Sequence, residues 1–341
     1  MVADVAPAPY DGIGPFPALD VPARPPLQRA IQLTVIAAIV VGPFAGLVAA
    51  VWLLWGQSVG FADLGLAVLF YLLTGFGVTV GFHRCLTHRS FTARRALRVA
   101  LAVAGSMSFQ GDVIGWVATH RRHHAFPDRP GDPHSPYMYG TGPTGLLRGV
   151  LHAHVGWLFS HDPTSRERYA PDMLADPAMR AVSKAFPALC AASLAVPFAA
   201  GWAIAGARGA VLALVWAGLV RVFLLQHVTW SVNSLCHMLG SRPFTTRRHD
   251  RATNLWPLAL PSLGESWHNM HHSDPACARH GVDPGQLDLS AALIRVFERA
   301  GWASGVHWPS PDRLQQNRRT PGGDPAASPV ESRQIADHRV R

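Results

Sequence analysis

The sequence predicts an all-α integral membrane protein, with four transmembrane helices in two hairpins under a cytosolic helical cap. Hydrophobic residues make up 49% of the 341 residues and charged residues 15%, whereas about 25% charged residues is usual for soluble domains. Four segments are apolar and long enough to cross a hydrocarbon core of roughly 30 Å. Residues 131–178 are rich in Pro, Gly, Asp and Arg, which is typical of an aqueous cap.

The four predicted spans are residues 31–55, 64–82, 185–204 and 210–235. The first two contain no charged side chain and are joined by a short turn, and the last two are joined by residues 205–209. The fourth span carries Arg221, and an arginine facing lipid costs about 2.5 to 3.5 kcal/mol. We therefore expect Arg221 to face protein or water.

Residues 31–311 are predicted to form one membrane domain, with a flexible segment 1–30 before it and a disordered tail 312–341 after it. The first segment lacks the basic region, apolar core and small-residue cleavage site of a signal peptide, so no cleaved signal is expected. The tail is Pro, Arg, Gln and Ser without helical periodicity. Between the second and third spans, residues 97–117 include several polar side chains and are predicted to form an interfacial or protein-buried helix.

The net charge of +9 comes from arginine, since Lys184 is the only lysine. Arginines crowd the segments before residue 31, from 84 to 180 and after 242, whereas the two inter-span turns hold only Arg208. The positive-inside rule therefore places both termini and the cap in the cytoplasm. A basic balance beside such long apolar segments indicates membrane lipid and cytoplasmic loops, and no nucleic-acid partner is predicted.

Nine of the 18 histidines fall into three boxes and one outlier at the cytoplasmic ends of the predicted spans. They are His83 and His88; His120, His123 and His124; His268, His271 and His272; and the single His237. In the second and third boxes the spacing i, i+3, i+4 places all three side chains on one helix face, so each box is predicted to be half of a metal site. The i, i+5 spacing of the first box predicts an irregular turn near Leu86.

Nine neutral imidazoles suit a transition metal such as iron, copper, nickel or zinc. Nine ligands are too many for one ion, so two ions with four or five ligands each are predicted, with open positions for dioxygen. Four nearby acidic residues are candidates to hold the ligands in place or, alternatively, are solvated loop charges: Glu265, Asp274, Asp128 and Asp132. The other nine histidines are interpreted as structural: His134, His152, His154, His161, His227, His249, His280, His307 and His338.

With these boxes in place, the chain resembles the acyl-CoA delta-9 desaturases of the stearoyl-CoA desaturase type, as a bacterial-like member. The resemblance runs from about Phe61 to Pro275. The motifs that carry it include His83-Arg84 to His88, Phe109-Gln110-Gly111-Asp112, Asp132-Pro133-His134, His154-Val155-Gly156-Trp157, Thr229-Trp230, Asn233-Ser234 and Gly264-Glu265 to Pro275.

The resemblance implies two iron ions held by the nine histidines, with Asn233 reaching one iron through a water. It also implies that the bend of the acyl tunnel is lined by Gln110, Trp116, Thr229 and Trp230. The animal enzymes that the chain resembles have an Arg-Asp pair just before the second box, which is thought to engage the CoA headgroup, whereas this chain has Ala118 and Thr119 there. CoA remains the first choice of carrier on the resemblance. Because this pair is missing, acyl-carrier protein or a glycerolipid ester stays open as the carrier.

The implied activity is dioxygen-dependent insertion of a cis double bond, at the delta-9 position, into a saturated fatty acyl chain. The enzyme would lie in a bacterial inner membrane with its active site on the cytoplasmic side. Because the sequence has no flavin, nicotinamide, haem or iron–sulfur motif, a separate ferredoxin- or cytochrome-type donor with its reductase is predicted. Two alternatives remain: a histidine-box hydroxylase, ketolase or alkane monooxygenase on a lipid, and a metal transporter.

Overall fold

The fold is described by a computed structural model that covers residues 25–53, 59–160 and 163–319. This part of the chain is mostly helical, as predicted. The α-helices are α1 Pro26–Leu53, α2 Phe61–Phe76, α3 Arg95–Ser106, α4 Val113–Ala125, α5 Pro143–His154, α6 Arg166–Tyr169, α7 Pro171–Ala175, α8 Pro177–Lys184, α9 Phe186–Ala213, α10 Arg221–Ser234, α11 His268–Ser273, α12 Leu289–Arg299 and α13 Pro311–Asn317.

Shorter elements connect these helices. Gly77–Thr87 and Leu214–Val220 are π-helical, and they continue α2 and α9 without a break. Gly156–Phe159, Leu235–His237 and Trp256–Leu258 are 3₁₀-helical. Two short strands, β1 Thr92–Ala93 and β2 Ala303–Ser304, pair antiparallel and tie the region after α12 to the first histidine box.

Three helical segments in the described ranges are long and apolar enough to cross a membrane: Pro26–Trp52, Phe61–Thr87 and Phe186–His237. The third has 52 residues, which as one straight helix would measure about 78 Å, far more than a bilayer core. Its backbone is non-helical at Ala205 and Gly206, where the turn was predicted. The two arms then touch, because a Cβ on Gly201 would lie 2.2 Å from the carbonyl oxygen of Gly209.

Arg221 lies inside the second hairpin and faces protein, as expected. Its guanidinium donates to the carbonyl oxygens of Ala217, Met107 and Ser193 and to the Ser193 hydroxyl, at 2.8 to 3.3 Å. The side chain is fully buried. These acceptors replace the water that the charge leaves behind, and they join α9 and α10 to the loop after α3.

The cap, which here means the described residues between 88 and 185 and between 238 and 319, packs around the π-helix Gly77–Thr87. All residues of this π-helix are buried. Phe82 and Leu86 belong to one buried core cluster with Ile114 and Val117 of α4 and Met179 of α8. Helices α3 and α12 lie against other sides of the same π-helix. Burying a side chain of this size stabilises a fold by about 1.5 to 3 kcal/mol, so the cap holds the end of this membrane helix from several directions.

The helix predicted over residues 97–117 is wrong in its continuity. The segment forms α3 and α4, separated by residues 107–112, where Phe109 and Gly111 have φ of 64° and 99°. Asp112 caps α4, since its carboxylate accepts from the Gly115 amide at 3.1 Å. The N-cap residue Asp112 fixes the start of a new helix, which apolar periodicity alone does not reveal.

The predicted flanks also need correction at both edges of the domain. Helix α1 begins at Pro26, so residues 26–30 of the predicted flexible segment are helical. Helix α13 occupies the start of the predicted disordered tail, because Ser310 caps it by accepting from the Arg313 amide and Arg318 then pairs with Phe244. Residues 1–24, 54–58, 161–162 and 320–341 lie outside the described part. The predictions for residues 1–24, for His161, for His338 and for the rest of the tail therefore fall outside it.

Replacing Gly77 by alanine is expected to destabilise the protein. A Cβ there would lie 2.1 Å from the Gly105 amide nitrogen and 2.4 Å from the Ala104 carbonyl carbon, and backbone atoms on α3 cannot move aside cheaply. We expect a loss of about 1 to 3 kcal/mol, measured as a lower thermal unfolding temperature in detergent. Gly65→Ala is the control, since nothing lies within 4 Å of its Cβ position. Equal effects of both substitutions would contradict this packing.

Candidate metal centre

All nine box histidines meet at the base of the cap, and they divide into two groups. His83, His88, His120, His124 and His271 form the five-histidine cluster. His123, His237, His268 and His272 form the four-histidine cluster. Within each cluster, one ring nitrogen per residue lies within 4.8 Å of all the others. The arrangement has the numbers of ligands expected for two ions.

The prediction that each triplet forms half of one site is wrong, because both triplets are split between the clusters. On α4, His120 and His124 enter the five-histidine cluster while His123 enters the other. On α11 the division is reversed, since His271 joins the five-histidine cluster and His268 and His272 join the four-histidine cluster. In each helix the i, i+4 pair serves one cluster and the residue at i+3 turns to the other. The two sites therefore share both helices.

The first box converges through the width of the π-helix. The His88 amide donates to the His83 carbonyl at 3.1 Å, an i+5 hydrogen bond of the kind that defines this helix. The two rings then lie 4.9 Å apart. The expected irregular turn near Leu86 is therefore wrong: a widened but continuous helix brings together side chains that an α-helix would separate.

Carboxylates hold four of the imidazoles through Nδ1. The pairs are His83 with Glu265 at 2.5 Å, His123 with Asp132 at 3.0 Å, His237 with Asp128 at 2.7 Å and His272 with Asp250 at 2.8 Å. Each Nδ1–H donates to its carboxylate, which leaves Nε2 with its lone pair directed into the cluster.

Of the four carboxylates suggested by sequence, Glu265, Asp128 and Asp132 contact box histidines, and Asp274 does not. Asp274 pairs instead with the largely exposed Arg313 at 3.3 Å. Asp250 was missed, because it stands within Arg247-Arg248-His249-Asp250-Arg251, a run that resembles a charged surface loop. It is nevertheless buried, and its Oδ1 also accepts from the Ala252 amide at 2.9 Å.

Two ring nitrogens whose lone pairs face one another show whether these residues fit a metal ion. Nε2 of His123 lies 3.3 Å from Nε2 of His272, and both residues have committed Nδ1–H to a carboxylate. As long as both rings are neutral, neither Nε2 can donate, so the contact is repulsive until a metal ion or a proton lies between the two nitrogens. The donor set thus fits a transition metal ion, for which neutral imidazole is a preferred ligand.

Six of the nine box imidazoles are also held neutral. Burial first, and then repulsion from neighbouring imidazoles, lowers the pKa of most box histidines well below the usual range: His88, His120, His124, His268, His271 and His272. A neutral ring keeps a lone pair available, so metal binding at neutral pH does not have to displace a proton from these nitrogens.

Glu265 is held ionised by a buried network. Burial would raise its pKa, but His83 and Arg84 together lower it. The Arg84 guanidinium is fully buried and donates to Glu265 at 3.0 and 3.1 Å while pairing with Asp288 at 3.0 Å. Removing one partner of such a network costs about 3 to 5 kcal/mol. The charge that orients His83 is therefore tied to α12, which Asp288 caps.

An apolar cavity opens beside the clusters. Its empty volume, including the solvent-open mouth, is about 510 Å³. His83, His120, His268 and Asn233 are among the residues that line it. The rest of the wall is formed mainly by Val78, Thr79, Leu225, Val228, Val232, Pro261 and Leu263.

Two of the four predicted tunnel residues, Trp116 and Thr229, line this cavity. Gln110 is not in the wall, but its Nε2 donates to Thr229 Oγ1 at 2.9 Å. Trp230 packs away from the cavity, against the rings of His154 and His227. Trp116 also stacks on His120 with ring centroids 5.0 Å apart, so it contacts both the cavity and a candidate ligand.

Two histidines interpreted as structural lie against the clusters. His134 stacks on His123 with centroids 4.4 Å apart. His280 lies 4.6 Å from His271, and Nη2 of Arg84 lies 3.3 Å from its Nδ1. The sequence signal for His134 was the motif Asp132-Pro133-His134, whereas nothing near His280 in the sequence distinguishes it from a core histidine.

Comparisons with known proteins agree with this geometry. The fatty acid desaturase family model matches residues 63–293. A hex-5-enoyl-[acyl-carrier protein] acetylenase from Moorena producens (strain JHB) is 37% identical over 279 residues, 81% of this chain and 86% of the relative. An sn-1 stearoyl-lipid 9-desaturase from Anabaena variabilis is 34% identical over 254 residues, 73% of this chain and 86% of the relative. A Delta-9 acyl-lipid desaturase 1 from Arabidopsis thaliana is 34% identical over 253 residues, 72% and 76%.

Asp250→Asn is expected to weaken metal binding. The amide cannot act as the charged acceptor for His272 Nδ1–H, and loss of such a partner typically costs about 10- to 100-fold in metal affinity. The affinity is measured by chelator competition, with bound metal counted by elemental analysis. Asp274→Asn, only two residues from His272, is the control and should leave the affinity unchanged. Equal losses in both variants, or none in either, would contradict the assignment.

Proposed function

The chain belongs to the fatty acid desaturase family and is a fatty acyl desaturase, and on that premise we propose that it introduces a cis double bond at the delta-9 position of a saturated acyl chain carried as acyl-CoA. The observation that carries this proposal is that nine imidazoles converge in two clusters and that three of them, His83, His120 and His268, also line an apolar cavity. Such a site brings an oxidising centre next to a hydrocarbon chain.

The proposed cofactor is a pair of iron ions, one in each histidine cluster, with Asn233 reaching one of them through a water. Iron there would supply the dioxygen activation that removal of hydrogen from an unactivated methylene requires. The open positions left by four or five ligands suit dioxygen better than a closed structural site. The carboxylates on Nδ1 would raise the basicity of the ligands and fix their rings.

The cavity wall supports selection of one carbon pair. Many of its side chains are apolar, among them Val78, Leu225, Val228, Val232 and Leu263, and such side chains hold an alkyl chain without hydrogen bonds. Methylenes are chemically alike, and the pair that reacts is the one held near the clusters. Asn233 and Leu225 lie at opposite ends of the α10 wall, about 12 Å apart along the helix. The length of the cavity beyond the clusters would therefore decide which carbon pair of the acyl chain lies near them.

The carrier is the least constrained part of the proposal. CoA follows from the motif resemblance, although Ala118 is fully buried and cannot contact a headgroup. Two relatives are named for acyl-lipid chemistry and one for an acyl-carrier protein. The acetylenase makes acyl-carrier protein the second candidate, with formation of a triple bond as the second candidate reaction.

Membrane embedding and electron supply complete the proposal. We propose four spans, with the hairpin broken at Ala205 and Gly206 counted as two, in a bacterial inner membrane with the cap in the cytoplasm. Reduction of one dioxygen to two waters takes four electrons and four protons. Removal of two hydrogens from the acyl chain supplies two of each, so two electrons and two protons must come from outside. A separate ferredoxin- or cytochrome-type protein with its reductase would deliver the electrons. The exposed Arg89 and Arg247 suit docking of an acidic electron-donor protein. Arg247 also donates to the His124 carbonyl at 2.8 Å.

Expression in a desaturase-deficient host grown in air tests the reaction. We expect new monounsaturated chains by mass spectrometry, with the bond position read from their fragments. His271→Ala should abolish them by removing a cluster ligand, whereas His249→Ala, an exposed histidine outside both clusters, should not. Hydroxylated or ketone products would overturn the desaturation and keep the metal site, and acetylenic products would favour the second candidate.

Leu225→Phe is expected to shift the product profile toward shorter chains. Leu225 lines the cavity and lies about 12 Å from Asn233 along α10, so added volume there would shorten the space for the acyl tail. A difference of a few methylenes in such a pocket changes selectivity by roughly tenfold or more. The ratio of short to long products measures the shift. Leu224→Phe, which points outward, should leave the ratio unchanged, and a shift with Leu224→Phe alone would contradict the cavity assignment.

A further inference from the structure

The outward-facing apolar surface of α2 is too short for a bilayer. Its exposed large side chains run from Phe61 to Leu73, and every residue from Thr74 to Thr87 is buried or half-buried in protein. That surface measures about 20 Å, whereas the hydrocarbon core is roughly 30 Å thick. Along α10, no side chain beyond Leu224 is exposed. On this side, something other than these helices must meet the remaining depth of lipid.

Three exposed apolar side chains of the cap lie near this gap: Leu239, Trp256 and Leu260, which are 53%, 76% and 58% exposed. Leu239 follows the end of α10 directly. The antiparallel bridge between Ser241 and Asn254 brings the chain around Leu239 next to the chain around Trp256. We call these three residues the apolar rim.

The segment that carries Trp256 and Leu260 is fastened to α2. The Tyr71 hydroxyl donates to the Pro261 carbonyl at 2.6 Å. Leu263 packs on Gly75, since a Cβ there would lie 2.9 Å from Leu263 Cδ1. Tyr71 and Gly75 bracket Leu73, the last exposed apolar side chain of α2, so the apolar rim continues the surface at the level where the helix leaves it.

We propose that the apolar rim is inserted into the acyl-chain region of the leaflet on the metal-cluster side, so that the cap completes the hydrophobic belt. Its partner is therefore the lipid bilayer. Large apolar side chains grouped in this way mark a contact surface, and tryptophan is favoured where lipid meets headgroups. Because Pro261, Ser262 and Leu263 of the same segment line the cavity, the segment has lipid on one side and the acyl site on the other.

The test measures depth and not activity. Leu260→Cys in the full-length chain is labelled with a fluorophore and placed in phosphatidylcholine nanodiscs whose lipids carry a nitroxide near the headgroup or deep in the chain. The reference for embedding is Val41→Cys on the exposed face of α1, and the reference for water is Arg313→Cys on the cap. Labelled wild type corrects for the native cysteines, and Trp256→Cys repeats the measurement if Leu260→Cys does not fold.

We expect the shallow nitroxide to quench Leu260→Cys at least about twofold more strongly than Arg313→Cys, with matching protection from aqueous iodide. Iodide quenching equal to that of Arg313→Cys, with Val41→Cys quenched by lipid, would overturn this inference alone. The inference rests on the membrane embedding proposed above, so an unquenched Val41→Cys would overturn both. Protection from iodide and nitroxides alike would mean that a second copy of the chain covers the apolar rim, which also overturns it.

Discussion

Buried imidazole nitrogens that face one another with lone pairs repel, and a carboxylate on the opposite ring nitrogen keeps the single proton of each neutral ring away from the contact. His123 and His272 are held in this relation by Asp132 and Asp250. Without a cation, the arrangement is unfavourable, and a flexible protein would relax by turning a ring. The packing of the cap is what prevents that relaxation, so the rest of the structure depends on this constraint.

The cap resists relaxation because the residues that orient the ligands are tied to distant elements. Arg84, one residue from a candidate ligand, joins Glu265 to Asp288 at the start of α12. The π-helix is buried along its whole length against α3, α4 and α12. A buried charged network contributes little net stability by itself. The role of this network is to fix the orientation of the His83 ring beside the cavity. An acyl chain there would have no polar group by which the protein could hold it.

Sequence reasoning succeeded where a residue type carries its own constraint and failed where backbone geometry decides. A charge such as Arg221 inside an apolar span must find acceptors, and the histidine spacing shows which side chains share a helix face. Nothing in Gly77–Thr87 reveals that the helix widens, yet that width unites His83 and His88. The spacing i, i+3, i+4 leaves an angular spread of about 100°, enough to divide a triplet between two ions. Asp250 was hidden because local sequence resembles a solvated loop.

The reversed division of the two triplets would link the two proposed metal sites thermodynamically. Helix α4 gives two candidate ligands to one cluster and one to the other, and α11 does the opposite, so an ion in either cluster would fix the positions of side chains on both helices. Part of the cost of arranging the second site is then already met, which is positive coupling between two binding events. A limited supply of metal would accordingly produce a mixture of doubly loaded and empty molecules in place of a uniform half-loaded population. Activity would then scale with the number of complete molecules.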